Sequence, residues 1–224
     1  MNASRPELAM LTNGQAVKRS EIPVLTPERF GQAILDGVAA RQRVSALFGA
    51  SPPVPGAIRL YAVLADDEQN RLFAAATELD GGEFPSLTPR CPQVHLFERE
   101  IAEQFGLRPI GHPWFKPVRY CRSWTGRDAW GRPAGQPILP AVGDFYRVEG
   151  EQVHEVAVGP VHAGVIEPGH FRFQCHGEQV FHLEIALGFQ HRGVEEALIG
   201  GPNARTVHYA ETLSGDATVA HATT

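Results

Sequence analysis

Apolar residues along this chain change their spacing several times, and each change marks an element. Phe30, Ala33, Ile34, Val38, Ala39 and Val44 recur at helical intervals. Thr26, Pro27 and Glu28 supply a start for that helix: a capping hydroxyl, a proline whose missing N–H is not needed in the first turn, and an acid at the positive end of the dipole. The spacing predicts a helix that runs towards Gly49 and stops before Pro52 and Pro53. Ahead of it, residues 1–21 mix polar residues with Pro6 and Gly14 and read as a loose leader, followed by a short strand at 22–25. Leu60, Ala62 and Leu64 alternate as strand residues do, the polar run from Asp66 to Asn70 turns the chain, and 71–78 returns as a second strand. Residues 85–92 are extended and broken by prolines, and 94–105 form a charged helix that Gly106 caps. Residues 22–118 therefore read as an α+β domain, a mixed sheet with flanking helices.

The stretch 113–143 is rich in proline and glycine and carries Trp114, Trp124 and Trp130. It is too punctuated for regular structure and too aromatic for a free linker. Two readings stand: an ordered strap on a neighbouring surface, or a linker whose tryptophans pack on their own domain. With the strap taken as 119–150, the last part, 151–224, holds a strand at 153–158, a β-hairpin over 169–186 that turns at His176, Gly177 and Glu178, and helices at 194–199 and 203–213.

Composition narrows the class of protein. The 224 residues, 43% hydrophobic and 20% charged, are an ordinary globular balance. A net charge of −5 excludes a general affinity for nucleic acid or anionic lipid, which need a strong cationic field. The distribution is uneven: residues 108–132 carry Arg108, Lys116, Arg119, Arg122, Arg127 and Arg132 against Asp128 alone, whereas 133–224 hold eleven acids and four arginines. This basic belt is either a solvated face or a docking surface, for another subunit or for the chain's own acidic half. Cys91, Cys121 and Cys175 form no C-x-x-C and no even set, so neither a disulfide framework nor a zinc or iron-sulfur ligand set is written here, and a reducing, cytosolic setting fits. No apolar run approaches the roughly 20 residues that cross a bilayer, so membrane association is expected only through partners.

Residues 97–116 read Phe-Glu-Arg-Glu-Ile-Ala-Glu-Gln-Phe-Gly-Leu-Arg-Pro-Ile-Gly-His-Pro-Trp-Phe-Lys. Glu98, Arg99, Glu100, Glu103, Phe105, Gly106, His112 and Pro113 in this string resemble the C subunit of respiratory complex I, the 30 kDa subunit family of respiratory-chain NADH dehydrogenase, and its fused counterpart in membrane-bound, energy-converting hydrogenases. A second resemblance lies in 159–173, with Gly159, Pro160, His162, Glu167, Pro168, Gly169 and His170, and in 188–195, with His191, Arg192 and Gly193. Both strings are similar to the start of the complex I D subunit and of the large subunit of group 4, formate hydrogenlyase-like nickel-iron hydrogenases.

The resemblance implies a peripheral-arm subunit, inactive alone, of a complex I-like or hydrogenase-like oxidoreductase on the cytoplasmic face of the inner membrane. Its partners would be an iron-sulfur small subunit, other peripheral-arm subunits and, indirectly, membrane subunits; nucleic acid is not among them. No cofactor is expected on this chain, with iron-sulfur clusters in the partners and quinone as the possible ligand. The family's quinone-headgroup histidine falls on His162, where an imidazole can donate a hydrogen bond and then a proton to a ketone oxygen. Interface roles are expected for Glu98, Arg99, Glu100, Glu103, His112, Pro113, Lys116, His191 and Arg192. Read from the residues alone, the helix acids pair with Arg99, Arg108 or a partner, and His112-Pro113 fixes a turn. His170, His176 and His182 recur every six residues but lack companions for a metal site. At Ser214-Gly215-Asp216-Ala217, Ser214 and Ala217 stand where the hydrogenase family has a metal-binding cysteine pair, and a hydroxyl and a methyl do not replace soft thiolates. The large-subunit fold continues beyond residue 224, so an incomplete reading frame is expected. The alternative is a non-catalytic scaffold or assembly subunit that has lost the nickel-iron site.

Overall fold

The computed structural model describes residues 8–50, 56–133, 135–138 and 145–223. The beginning of the expected leader and part of the expected strap, 134 and 139–144, lie outside the described residues. The chain divides after Phe145 into two compact units.

The first unit is built on a five-stranded sheet. Its strands are β1 (Ala9–Thr12), β2 (Val24–Leu25), β3 (Arg43–Ala50), β4 (Ile58–Asp66) and β5 (Arg71–Leu79). They run in the order β1-β5-β4-β3, with β2 pairing parallel to β5 and the remaining pairs antiparallel. Helix α1 (Pro27–Ala39) starts as expected: Thr26 is the N-cap, its hydroxyl accepts from the Arg29 N–H, and Pro27 opens the first turn. Helix α2 (His95–Phe105) ends at Gly106, whose φ of +68° is the left-handed conformation of a helix stop. A pair of short parallel strands, β6 (Glu83–Pro85) and β7 (Arg108–Ile110), flanks it. The core lies where α1 and α2 meet the sheet, with Phe30, Ile34, Leu47, Leu60, Leu64, Ile101 and Phe105 nearly or wholly buried. Each such side chain contributes about 1.5–3 kcal/mol of burial free energy.

Two expectations are corrected here. The first helix does not reach Gly49; it ends at Ala39, and residues 43–50 are β3. Val44, Leu47 and Gly49 take inward or sheltered positions across a bulge between Val44 and Ala46, and a period-two pattern with one slip at Val44 mimics the helical period of 3.6. Gly49 is there for packing: a Cβ would come within 2.5 Å of the Phe105 ring. The supposed leader contains β1, which pairs Ala9–Thr12 with Arg71–Ala74 and buries Leu11. Four residues are too few to display an alternation before a partner strand is known.

The second unit holds an antiparallel sheet of β8 (Val153–Val158), β9 (His170–His176) and β10 (Gln179–Ala186) in the order β10-β9-β8. Short helices follow: α3 (Val194–Ala197), α4 (Thr206–Glu211) and α5 (Thr218–Thr223), the last of them unforeseen in the sequence. The sheet is two-faced in an unusual sense. Gln174 and Glu184 are buried, and they accept the backbone N–H groups of Val148 and Tyr146. The register places Val156, Phe173 and Leu183 in one row and Val158, Phe171 and Ile185 in the next, yet Val156, Val158, Leu183 and Ile185 stay exposed. Among the described residues no helix is long and apolar enough to cross a membrane.

Candidate functional site

Helix α2 carries four of the nine expected interface residues, and the structure turns three of them, Glu98, Arg99 and Glu103, inward. Glu98 is fully buried; one carboxylate oxygen accepts the hydroxyls of Ser86 (2.5 Å) and Thr88 (2.6 Å), the other the Leu87 N–H (2.6 Å). Three donors thus satisfy the buried carboxyl group. His112 lies 4.0 Å away, its side chain also buried. Its Nδ1 accepts the Trp114 N–H at 3.0 Å, so Nε2 bears the hydrogen and donates to the His95 carbonyl at 3.1 Å. Burial above all holds the His112 imidazole below its ordinary pKa, and the Arg99 charge adds to this against the opposing pull of the His95 carbonyl and Glu98. His112 is thus a neutral turn-former, as its pairing with Pro113 implied, and Pro113 itself is exposed.

Next to Glu98 on α2, Arg99 donates to the carbonyls of Lys116 (2.7 Å) and Pro117 (2.9 Å). Glu103, 3% exposed, accepts the backbone N–H groups of Val118 (3.0 Å), Arg119 (2.8 Å) and Cys121 (2.8 Å). Glu100 forms an ion pair with Arg119 at 3.0 Å. The helix's last carbonyls join in: that of Gln104 accepts the Trp124 N–H and the Ser123 hydroxyl, and that of Phe105 the Thr125 hydroxyl. The acids do not take the expected cations, Arg99 or Arg108: Glu100 pairs with Arg119 instead, and Glu103 holds backbone. The first part of the strap, to Trp130, correspondingly lies on its own domain: the Trp124 ring meets Phe105 edge-on, Trp130 stacks on Phe115, and the Lys116 ammonium just ahead of it sits over the rings of Trp114 and Phe145. Ser86, Thr88 and these backbone groups were missed in the sequence, because a loop serine or threonine carries no local mark of the carboxylate it will meet. A cavity of about 340 Å³ between α1 and the sheet is lined by Phe30, Leu47, Leu60 and Leu79 together with Thr77 and Glu98, both already hydrogen-bonded.

In the second unit, His162 sits in the turn between β8 and β9. Its Nε2 is 2.8 Å from the Gly169 carbonyl and therefore donates to it, leaving Nδ1 as the acceptor of the neutral ring. The ring also meets Phe171 edge-on. Gly159, at φ +89°, makes room for this closure: a Cβ there would lie 2.1 Å from the Gly169 oxygen and 2.6 Å from His162 Nε2. His170 Nδ1 faces the Gly159 carbonyl at 3.2 Å, so two histidines brace the same turn. His191 and Arg192 lie apart from it, before α3: His191 Nδ1 is 3.9 Å from Glu195, and the Arg192 guanidinium donates to the Thr212 carbonyl. Ser214 caps a single 3-10 turn, Gly215–Ala217, ahead of α5, and Ala217 is the last residue of that turn. Their hydroxyl and methyl offer no thiolate, and among the described residues no three His, Cys, Asp or Glu side chains converge as metal ligands. The residues present at these positions do not fit a nickel-iron centre.

The stretch that contains α2, His112 and the first part of the strap is also the stretch with a match to a known family: residues 35–133 match the respiratory-chain NADH dehydrogenase, 30 Kd subunit. This stretch is a 30 Kd subunit domain. The chain is 34% identical to hydrogenase-4 component G of Escherichia coli (strain K12) over 130 residues, 54% of this chain and 23% of that protein. It is 30% identical to formate hydrogenlyase subunit 5 of the same organism over 168 residues, 68% of this chain and 29% of the relative. With the C/D subunit of NADH-quinone oxidoreductase from Methylococcus capsulatus (strain ATCC 33009 / NCIMB 11132 / Bath) it shares 26% over 148 residues, 56% of this chain and 25% of the relative. The chain thus spans less than a third of the length of the curated relatives it matches. The strap contacts of Arg99, Glu100 and Glu103 all fall inside the 30 Kd subunit domain.

Proposed function

We propose that this chain is a peripheral-arm subunit of a complex I-like or hydrogenase-like oxidoreductase, supporting electron transfer from iron-sulfur partners towards quinone or a related acceptor. The observation that carries this reading is the 30 Kd subunit domain together with relatives named as parts of a hydrogenase, a formate hydrogenlyase and an NADH-quinone oxidoreductase. On this reading it works at the cytoplasmic face of the inner membrane, held there by other subunits, and iron-sulfur clusters and membrane-spanning segments belong to those partners. Quinone, when bound, supplies the two-electron acceptor chemistry. His162 is the residue proposed to meet it. Nε2 is engaged with the Gly169 carbonyl, so Nδ1 is the atom free to exchange a proton: it accepts as the neutral ring and donates only after protonation. The turn closed by Gly159 and Gly169 orients the ring, and Phe171 supports one edge of it. The test is His162→Ala in the intact complex isolated from its own host. Loss of quinone reduction with assembly preserved is expected, and a normal rate of quinone reduction discredits the role.

A second reading, a non-catalytic scaffold, is favoured by one observation: Ser214 and Ala217 supply no ligand for a nickel-iron pair. Gentle purification of the tagged chromosomal product, with the mass of each component measured, separates the two. Iron-sulfur and membrane subunits arriving with redox activity support the electron-transfer reading, and an assembly intermediate without it supports the scaffold.

A further inference from the structure

Helix α2 uses its charges to hold the strap, so any surface offered to a partner by this region must be the strap's outer side. The cations of the basic belt are disposed of one by one. Arg119 is paired with Glu100 and Arg132 with Asp128, Lys116 lies over two aromatic rings, and the Arg108 guanidinium rests 6.0 Å from the Phe115 centroid. Two guanidiniums remain. Arg122 and Arg127 are exposed and make no ion pair among the described residues. Between them stands Trp124, 51% exposed although its ring edge touches Phe105.

This short segment is exposed in its side chains and anchored in its backbone. The Trp124 N–H donates to the Gln104 carbonyl at 2.7 Å, and the hydroxyls of Ser123 and Thr125 donate to helix-end carbonyls on either side. Gly106 brings the chain in close, because a Cβ there would lie 2.4 Å from Arg127 Cβ. Pre-anchoring of this kind removes much of the ordering entropy that binding otherwise costs. Tryptophan and arginine are also the residues most enriched at the energetic centres of protein interfaces.

We propose that Arg122, Trp124 and Arg127 form a docking surface for an acidic segment of a partner subunit, with Trp124 entering an apolar recess and the two guanidiniums taking carboxylates around it. The proposal rests on the subunit reading above. Charge complementarity selects the occupant: two unpaired cations fixed on a chain of net charge −5 suit a few carboxylates, whereas nucleic acid and anionic membranes require an extended cationic field.

The test uses the full chain in its own host. A benzophenone-bearing amino acid installed in place of Trp124 is photolysed in the purified complex, and the cross-linked peptides are sequenced. In parallel, the Arg122→Glu/Arg127→Glu variant is compared with Lys18→Glu/Arg19→Glu, which makes the same charge change at exposed positions elsewhere in the unit. The expected result is a cross-link to an Asp- and Glu-rich segment of a co-purifying subunit, with at least tenfold less partner retained by the Arg122/Arg127 variant, full retention by the control and an unchanged melting temperature in both. Cross-links confined to this chain, to lipid or to nucleic acid overturn the proposal, as does full retention by the Arg122/Arg127 variant. A complex that persists with that variant leaves the subunit reading standing and removes only this surface. A wild-type chain that brings no subunits removes both.

Discussion

Glu103→Gln isolates what the charged helix does for the strap. In the native chain Oε2 accepts the Val118 and Arg119 N–H groups and Oε1 that of Cys121. Glutamine keeps one oxygen. Placed at the Oε2 position it retains two of these bonds without their charge, a loss of about 1 kcal/mol each, since bonds to charged groups contribute roughly 1.5–3 kcal/mol and neutral ones roughly 0.5–1.5. Its NH2 group then faces the Cys121 N–H, donor against donor, and a buried donor left without an acceptor costs about 1–3 kcal/mol. The total is roughly 3–5 kcal/mol, concentrated in the strap, because Glu103 is only 3% exposed and water does not replace the lost acceptor. Amide hydrogen exchange reads this directly. Protection at Val118, Arg119 and Cys121 should fall about a hundredfold or more, and Trp124 should follow because its anchor on Gln104 is next along the helix. Amides in β4 and β5 should be unaffected. A change under threefold at Val118, Arg119 and Cys121, or an equal loss across the sheet, would refute the assignment of Glu103 as the strap's anchor.

Gly106→Ala combines a left-handed φ, which costs about 1–2 kcal/mol for a residue with a Cβ, with a Cβ 2.4 Å from Arg127 Cβ and 2.8 Å from its carbonyl oxygen. Urea denaturation should show a loss above 2 kcal/mol, and a loss within 0.5 kcal/mol would mean that the strap does not lie where the structure puts it. Stability should also depend on pH through the buried histidines. His112 and His95 are both held below the ordinary value of 6.5, chiefly by burial, so the unfolded chain binds more protons than the folded one in this range. Their contribution is fully present above about pH 6.5 and is lost as pH falls through the lower folded values. The carboxylates Asp128 and Glu155, with ordinary values of 3.8 and 4.5 and folded values below these, act at lower pH and do not mask the effect. Denaturation midpoints between pH 5 and 7.5 should therefore rise with pH, and less steeply in His112→Gln; an identical slope in the variant removes His112 as a cause.

Much of the first unit was legible because its signals are local. Thr26, Pro27 and Glu28 announce a helix start through backbone groups that lie within four residues of them. Gly106 announces a stop by the φ it alone tolerates, and the run from Asp66 to Asn70 turns as read, with Asp66 accepting the Gln69 N–H and Asn70 at a positive φ. The same holds for the second unit, where β8 and the β9-β10 hairpin fall where alternation and Gly177 put them.

What the chain's own order could not convey is who meets whom across it. Gly49 reads as a helix end until Phe105, fifty-six positions later, is seen to need the space of its missing Cβ. Glu98 and Glu103 read as interface or ion-pairing acids because helical spacing shows which residues share a face but not what covers it; the covers, Ser86 to Thr88 and Val118 to Cys121, come from loops with no periodicity. His162 was singled out by its motif, yet which of its nitrogens is engaged follows only from the return of β9, which brings the Gly169 carbonyl within 2.8 Å. Propensities, caps and turn chemistry act over a few residues and are therefore fixed by sequence; partners for buried charge and close-packed glycine are set by loop closure over tens of residues, and those only the tertiary structure decides.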